Sequence, residues 1–311
     1  VLLAGGVGGA KMASGLAATP DVDLTVLVNT ADDTEFHGLL VMPDHDTVMY
    51  TLAGIADPVQ GWGIAGETYV TLEALERLGA DTWFRIGDRD LATHLVRTSR
   101  LAAGERLTDV CRALQAAHGV ERPVLPMSDD PVRTHVRTSD GWLAFQDWFV
   151  RLHQEPAVTE VRFEGAAAAA PTPEVVAAIS EAEAIVVAPS NPLVSIGPIL
   201  AIDGIPTAID AARRRNVPVV GVSPIVGGRA LRGPADRMLV DAGHEASALG
   251  VARLQGGLLD GFVIDAVDRA LEPAIAALGI RTLVTDTVMV DAAARVRLGA
   301  EVASFAASMA G

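Results

Sequence analysis

The sequence predicts an α/β fold: a mostly parallel sheet with helices on both faces and a small antiparallel insertion. Three observations lead there. Short apolar runs, many of them β-branched (Leu24 to Val28, Ile185 to Val187, Val217 to Val222, Gly261 to Ile264, Arg281 to Val284), alternate with helix-forming segments. Several of these runs stop at glycine or small polar residues, which is where an open parallel sheet carries its ligand loops. Between Pro123 and Gly165 the rhythm changes to short paired strands around the turn Ser139-Asp140-Gly141.

The first run, Val1 to Ala4, meets Gly5, Gly6, Gly8 and Gly9 and then a helix expected from Lys11 to Ala18. Strand, glycine turn and helix start together suit an anion, because unpaired N–H groups and the positive end of the helix dipole face it. The spacing is neither the dinucleotide fingerprint, whose third glycine falls on Lys11, nor a Walker loop. The next strand ends at Asn29, followed by Thr30-Ala31-Asp32-Asp33 and a loop to Pro43-Asp44-His45-Asp46-Thr47. Asp46 suits a helix N-cap, yet several acids near a strand end and a helix start also suit the oxygen ligands of Mg²⁺.

Helices are expected from Gly66 to Leu78, from Asp88, as a cap, to Ala103, and from Leu107 to His118. The run Arg85-Ile86-Gly87-Asp88-Arg89-Asp90 suits ordinary surface ion pairs, and His94 has no second His or Cys placed to complete a zinc site. Val132 to Val136, Trp142 to Phe145 and Val158 to Phe163 make the insertion, followed by the alanine-rich exit to Pro173. Residues 1–122 and 174–311 are therefore expected as the core and residues 123–173 as a β-rich insertion or lid. The glycine turn, Asn29, Ser190-Asn191 and Ser223 all follow strands. Their clustering at one sheet edge predicts a nucleotide or phosphate site in a Rossmann-like core.

The 311 residues are half apolar, enough for a full core, and carry a formal charge of −15. That charge argues against nucleic acid and anionic membranes as partners, and requires any phosphate to be met locally by a metal, a few cations or helix N-termini. The uncharged stretch Ala184 to Ile202 has the length of a membrane span but is broken by Pro189, Pro192 and Pro198. A lone Cys111 and no visible signal peptide lead to the expectation of a cytoplasmic protein.

Seven segments in order, Gly5 to Lys11, Asn29 to Asp33, Pro43 to Thr47, Gly87 to His94, Leu125 to Val132, Ala188 to Pro192 and Ser223 to Ile225, resemble the 2-phospho-L-lactate transferases, CofD in archaea and FbiA in actinobacteria. The resemblance implies a step in making coenzyme F(420). A phospho-three-carbon acid, carried as guanosine-diphospho-phospholactate or phosphoenolpyruvyl-guanosine diphosphate, moves to the terminal ribityl hydroxyl of the deazaflavin Fo with release of GMP. Bacterial members suggest phosphoenolpyruvate, giving dehydro-F(420)-0. The resemblance also implies a homodimer.

By the same resemblance Asp46, Thr47 and Arg85 belong to the Fo site, with Arg85 where archaeal members have lysine. Asp32, Asp33 and Asp46 are the expected catalytic acids and Mg²⁺ ligands, the first of the pair being Glu in archaea. Gly5, Gly6, Gly8, Gly9, Asn29, Asp88, Arg89, Ser190, Asn191 and Ser223 are expected around the nucleotide and its phosphates, with His94 behind them. A related family, nucleotide-sugar-binding regulators of gluconeogenesis and cell-wall growth, shares the glycine turn and the Asn-Asp segment and is the alternative reading. The Gly87 to His94 and Met127 to Val132 segments favour the transferase. A dehydrogenase is disfavoured, since the strand ending at Asn29 offers no acid to grip a ribose.

Overall fold

Leu2, Leu3 and Ala4 have no exposed surface because their strand lies inside the main sheet. In a computed structural model that describes residues 1–310, seven strands form that sheet: β1 (Leu2–Ala4), β2 (Val26–Val28), β3 (Val124–Pro126), β4 (Ile185–Val187), β5 (Val219–Val222), β6 (Gly261–Asp265) and β7 (Arg281–Thr285). Their order across the sheet is β7-β6-β5-β4-β1-β2-β3, and every pair is parallel. The chain winds outward one way through β2 and β3 and the other way from β4, so the crevice between β1 and β4 is the topological switch point of the Rossmann-like sheet.

Successive strand residues point to opposite faces, and each face has its own core. Leu3, Leu27, Val187, Val219 and Phe262 pack with the helices Pro173–Glu181, Ile205–Arg213 and Ala248–Gln255. Leu2, Val26, Val186, Val220 and Val263 pack with helix α1 (Gly6–Ala17) and the C-terminal helix Ala292–Ala307.

The first helix begins earlier than expected. Gly5 is its extended N-cap and Gly6, at φ +61°, is its first residue, so the glycines form the first turn and Lys11 lies mid-helix. Close packing outweighs the weak helix propensity of glycine here. Helix α2 (Pro43–Leu52) starts with Pro43 in its first turn, and Met42, not Asp46, is its N-cap. Asp44 and Asp46 fall in that turn, where the helix dipole favours them. Helices α3 (Val70–Arg77) and α4 (Asp88–Ala102) follow.

A small hairpin, Thr34–Phe36 with Leu39–Val41, occupies part of what the sequence suggested was loop; His37 and Gly38, both at positive φ, make its turn. Strands Arg133–Thr138, Gly141–Ala144 and Glu160–Glu164 form a separate three-stranded antiparallel sheet. Thr134 N donates to the Ala31 carbonyl at 2.7 Å and Gln146 Nε2 to the Asp32 carbonyl at 2.7 Å, which fasten this sheet beside the end of β2. Among the described residues no single helix is long and apolar enough to cross a membrane. The stretch around Ser190 instead turns through a bent pair, Pro192–Leu200 and Ile205–Arg213, at 84°.

Candidate active site

A cavity of about 810 Å³ opens at the carboxyl edge of the sheet and includes the switch point. Gly5, Gly6, Gly8, Ser190, Asn191 and Ser223 reach it from the ends of β1, β4 and β5; Asp32, Asp46, Thr47 and Arg85 line it as well. Gly9, Asn29, Asp33, Asp88 and Arg89 are not in its lining.

Four of those five have a visible occupation. A Cβ on Gly9 would meet Ala4 and Ser190 Oγ, so this residue sets how closely α1 packs on β1 and β4. Asn29 is fully buried and donates Nδ2 to Asp44 Oδ2 at 3.0 Å and to the Val194 carbonyl at 3.2 Å. Asp33 is the exception: its Oδ1 is buried without a partner, and burial raises its carboxyl against the pull of the Arg133 and Arg97 charges. Asp88 is not the cap of its own helix: it accepts from Thr68 Oγ1 at 2.5 Å and from the N–H groups of Val70 and Thr71 at 3.0 Å each, and so caps α3. Arg89 bonds Glu67 Oε1 at 3.1 Å and the Ala65 carbonyl.

The glycine turn packs closely against its protein neighbours. A Cβ on Gly8 would collide with the Pro189 carbonyl, and one on Gly5 with Asp44 and Ser195. Ser190 Oγ donates to the Gly5 carbonyl at 2.7 Å and clips this turn to the loop after β4. Asn191 Oδ1 accepts from Leu193 N at 2.9 Å, and Ser223 Oγ donates to the Ile225 carbonyl at 2.8 Å, so both loops are set by their own polar residues.

Four carboxylates line the cavity: Asp32, Asp44, Asp46 and Asp90. Burial pushes Asp44 up to about 6, against the pull of the Asn29 amide and the Gly6 N–H. Burial also raises Asp32 well above the usual carboxylate range, and the neighbouring Asp44 charge adds to it. Asp32 Oδ1 has no hydrogen-bond partner. Asp46 goes the other way. Burial would raise it, but Arg97 above all, with His45, holds it below the usual range. Asp46, Asp90 and His94 place ligand atoms within 4.8 Å of one another, close enough to share a divalent cation.

Cations in the lining are Lys11, Arg85 and Arg232, and none has a carboxylate within 4.0 Å among the described residues. Burial lowers the Lys11 ammonium, and the charges of Arg295 and Arg232 lower it further. Arg85 stacks over Tyr69 at 4.0 Å, while Trp62, Phe84, Phe145 and Phe149 give the same chamber flat apolar surface.

Asp44, Lys11, Tyr50, Asp90, Arg97 and Arg232 were not singled out by the sequence. For Asp90 and Arg97 a signal existed: with His94 they stand at i, i+4 and i+7, one face of a helix.

The sequence matches the family described as 2-phospho-L-lactate transferase CofD over residues 1–304. The chain belongs to that family. Among CofD relatives it is 47% identical over 298 residues to the phosphoenolpyruvate transferase of Streptomyces griseus subsp. griseus, covering 94% of this chain and 93% of the relative. It is 39% identical over 290 residues to the 2-phospho-L-lactate transferase of Methanosarcina mazei, covering 93% and 94%. A solved structure from Bacillus halodurans, described as a member of the upf0052 family, is similar with a TM-score of 0.60 at 17% identity over 97% of each chain. That last likeness concerns the fold alone.

Proposed function

We propose that this CofD-family chain transfers a phospho-three-carbon-acid group from its guanosine diphosphate-activated form to the terminal ribityl hydroxyl of Fo, releasing GMP. The observation that carries the reading is one chamber joining the glycine turn at the switch point to an ionised Asp46 whose Oδ2 has no partner. Its volume of about 810 Å³ lies within the roughly 300–1,000 Å³ usual for small-molecule sites.

In the reaction the hydroxyl oxygen of Fo forms a bond to the phosphorus that bears the three-carbon acid. The bond from that phosphorus to the oxygen bridging to GMP breaks, GMP leaves with the electron pair, and the hydroxyl proton passes late in the step through Asp46 to solvent or to the departing phosphate. Phosphoryl-type transfers of this kind depend on in-line placement and charge neutralisation. Asp46 Oδ2 accepts the hydroxyl hydrogen bond and orients it. A carboxylate held so acidic is a weak base, so orientation matters more than early proton removal. Gly5, Gly6, Ser190 and Ser223 would border the nucleotide and diphosphate, with Lys11 and Arg232 offsetting negative charge. Arg85 and Thr47, together with the aromatic walls, would receive Fo.

Asp32 and Asp44 fit Mg²⁺: both are carboxylates in the cavity, both are raised by burial, and Asp32 Oδ1 is unpartnered. Asp46, with Asp90 and His94 behind it, borders the same chamber, whereas Asp33 is outside its lining. Bound there, Mg²⁺ would neutralise diphosphate charge. The donor we favour carries phosphoenolpyruvate, since relatives with that name match at 47% against 39% for the phospholactate enzyme. Purified protein incubated with Fo, Mg²⁺ and each guanosine-diphospho acid in turn tests the reading by product mass. Phospho-acid-linked Fo with an equal amount of GMP is expected, and no product with any donor would contradict it.

A further inference from the structure

Arg97 is buried without any exposed surface, and the reaction outlined above gives it no task. A guanidinium removed from water is costly unless its donors find acceptors; here Nε finds none, while both terminal nitrogens do. One terminal nitrogen bonds Asp46 Oδ1. The other donates to the Leu40 carbonyl at 3.3 Å and to His94 Nδ1 at 3.1 Å. Arginine has no acceptor to offer, so Nδ1 must accept, and a neutral His94 then carries its proton on Nε2. That nitrogen lies 3.4 Å from Asp90 Oδ1. Asp90 in turn accepts from the Tyr50 hydroxyl at 2.8 Å, and Thr93 Oγ1 sits 2.8 Å from the same hydroxyl.

The arrangement treats the two oxygens of Asp46 differently. Oδ1 is gripped by Arg97 and has His45 Nδ1 at 3.5 Å, whereas His94 Nδ1 lies 3.7 Å from Oδ2, beyond hydrogen-bond reach. Oδ2 is left buried and without a partner.

We propose that Arg97 is a positioning residue: anchored by the Leu40 carbonyl and His94, it fixes Asp46 by Oδ1 and aims Oδ2 at the acceptor hydroxyl. Its kinetic consequence rests on the transferase reading; its geometry does not. Lysine cannot reproduce the device, because a single ammonium on a flexible stem replaces a planar fork that reaches three acceptors at once.

The test compares Arg97→Met and Arg97→Lys, alone and combined with Asp46→Asn, by steady-state kinetics, together with a crystal structure of Arg97→Lys. The expected result is kcat reduced about a hundredfold in Arg97→Met, in line with positioned acid–base groups, with an intermediate rate in Arg97→Lys and KM for the donor within threefold of wild type. In the Asp46→Asn background either change should cost less than threefold more, since the group being aimed is already gone. In the crystal the Asp46 carboxylate should be rotated. Should Arg97→Met fail to fold, Arg97→Lys carries the same comparison. Wild-type kcat in Arg97→Lys, or a loss equally large in both backgrounds, would overturn the proposal. If the wild type transfers nothing, the transferase reading fails, and the crystal alone decides: an unmoved Asp46 overturns the positioning role and a rotated one supports it.

Discussion

The Asn29 side-chain amide donates to Asp44 Oδ2 at 3.0 Å, tying the end of β2 to the first turn of α2. That bond holds Asp44 at the cavity beside Asp32, whose carboxyl it helps to raise. Two buried acids brought together in this way repel each other unless a proton or a cation lies between them.

Mg²⁺ binding is therefore expected to depend on pH through Asp44. Its folded value of about 6 lies above the ordinary 3.8, so between those values the folded chain holds more protons than the unfolded one. Stability from this group falls as pH rises across that window and stays low above it. A divalent cation binds the deprotonated form, so Mg²⁺ should raise Tm more at about pH 7.5 than at about pH 5. Calorimetry with and without the ion checks this. An equal shift at both pH values, or one unchanged in Asp44→Asn, would place the cation elsewhere.

Gly8→Ala should destabilise the fold by about 1–3 kcal/mol, the usual cost of overpacking, because the new methyl group meets the Pro189 carbonyl, which is backbone. Denaturant unfolding reads the change. A variant as stable as wild type would mean that α1 and the loop after β4 are not pressed together.

Asp88→Ala separates two roles for one residue. As the cap of α3 it should lower Tm while leaving KM for the donor within twofold. A donor KM raised tenfold or more would instead assign Asp88 to the nucleotide site expected from the family resemblance.

Much of the sheet was legible because its strands are short apolar runs that stop at polar or glycine residues, as at Val28-Asn29, Val187-Ala188-Pro189-Ser190 and Val222-Ser223. The parallel-sheet rule then placed Gly5, Ser190 and Ser223 at a common edge, where the cavity lies. The polar floor of the site was harder to read. Helix α4 buries Thr93, His94 and Arg97 while leaving Leu95 51% and Val96 47% exposed, the reverse of the pattern by which a helix face is normally assigned. Asp44 was missed for a local reason: Pro-Asp-His-Asp reads as loop, although Pro43 is well suited to a first helical turn. Asp32 and Asp33 are adjacent in sequence yet face different surroundings, Asp44 for one and arginines for the other. Residue type alone does not distinguish them.

Arg85→Met should raise KM for Fo severalfold and leave KM for the donor unchanged, since Arg85 stands with Tyr69 and the aromatic wall rather than at the glycine turn. Steady-state kinetics with each substrate varied in turn checks it. The opposite split would exchange the two ends of the cavity.

The central claim is that Asp46 Oδ2 receives the acceptor hydroxyl, and Asp46→Asn tests it most directly because asparagine keeps an oxygen for Arg97. The measurement is the single-turnover rate of phospho-acid-linked Fo formation with donor, Fo and Mg²⁺ saturating, beside the binding constants of both substrates. The rate is expected to fall by about 10²–10⁴ with both binding constants within about threefold. A variant that transfers at the wild-type rate would contradict the assignment.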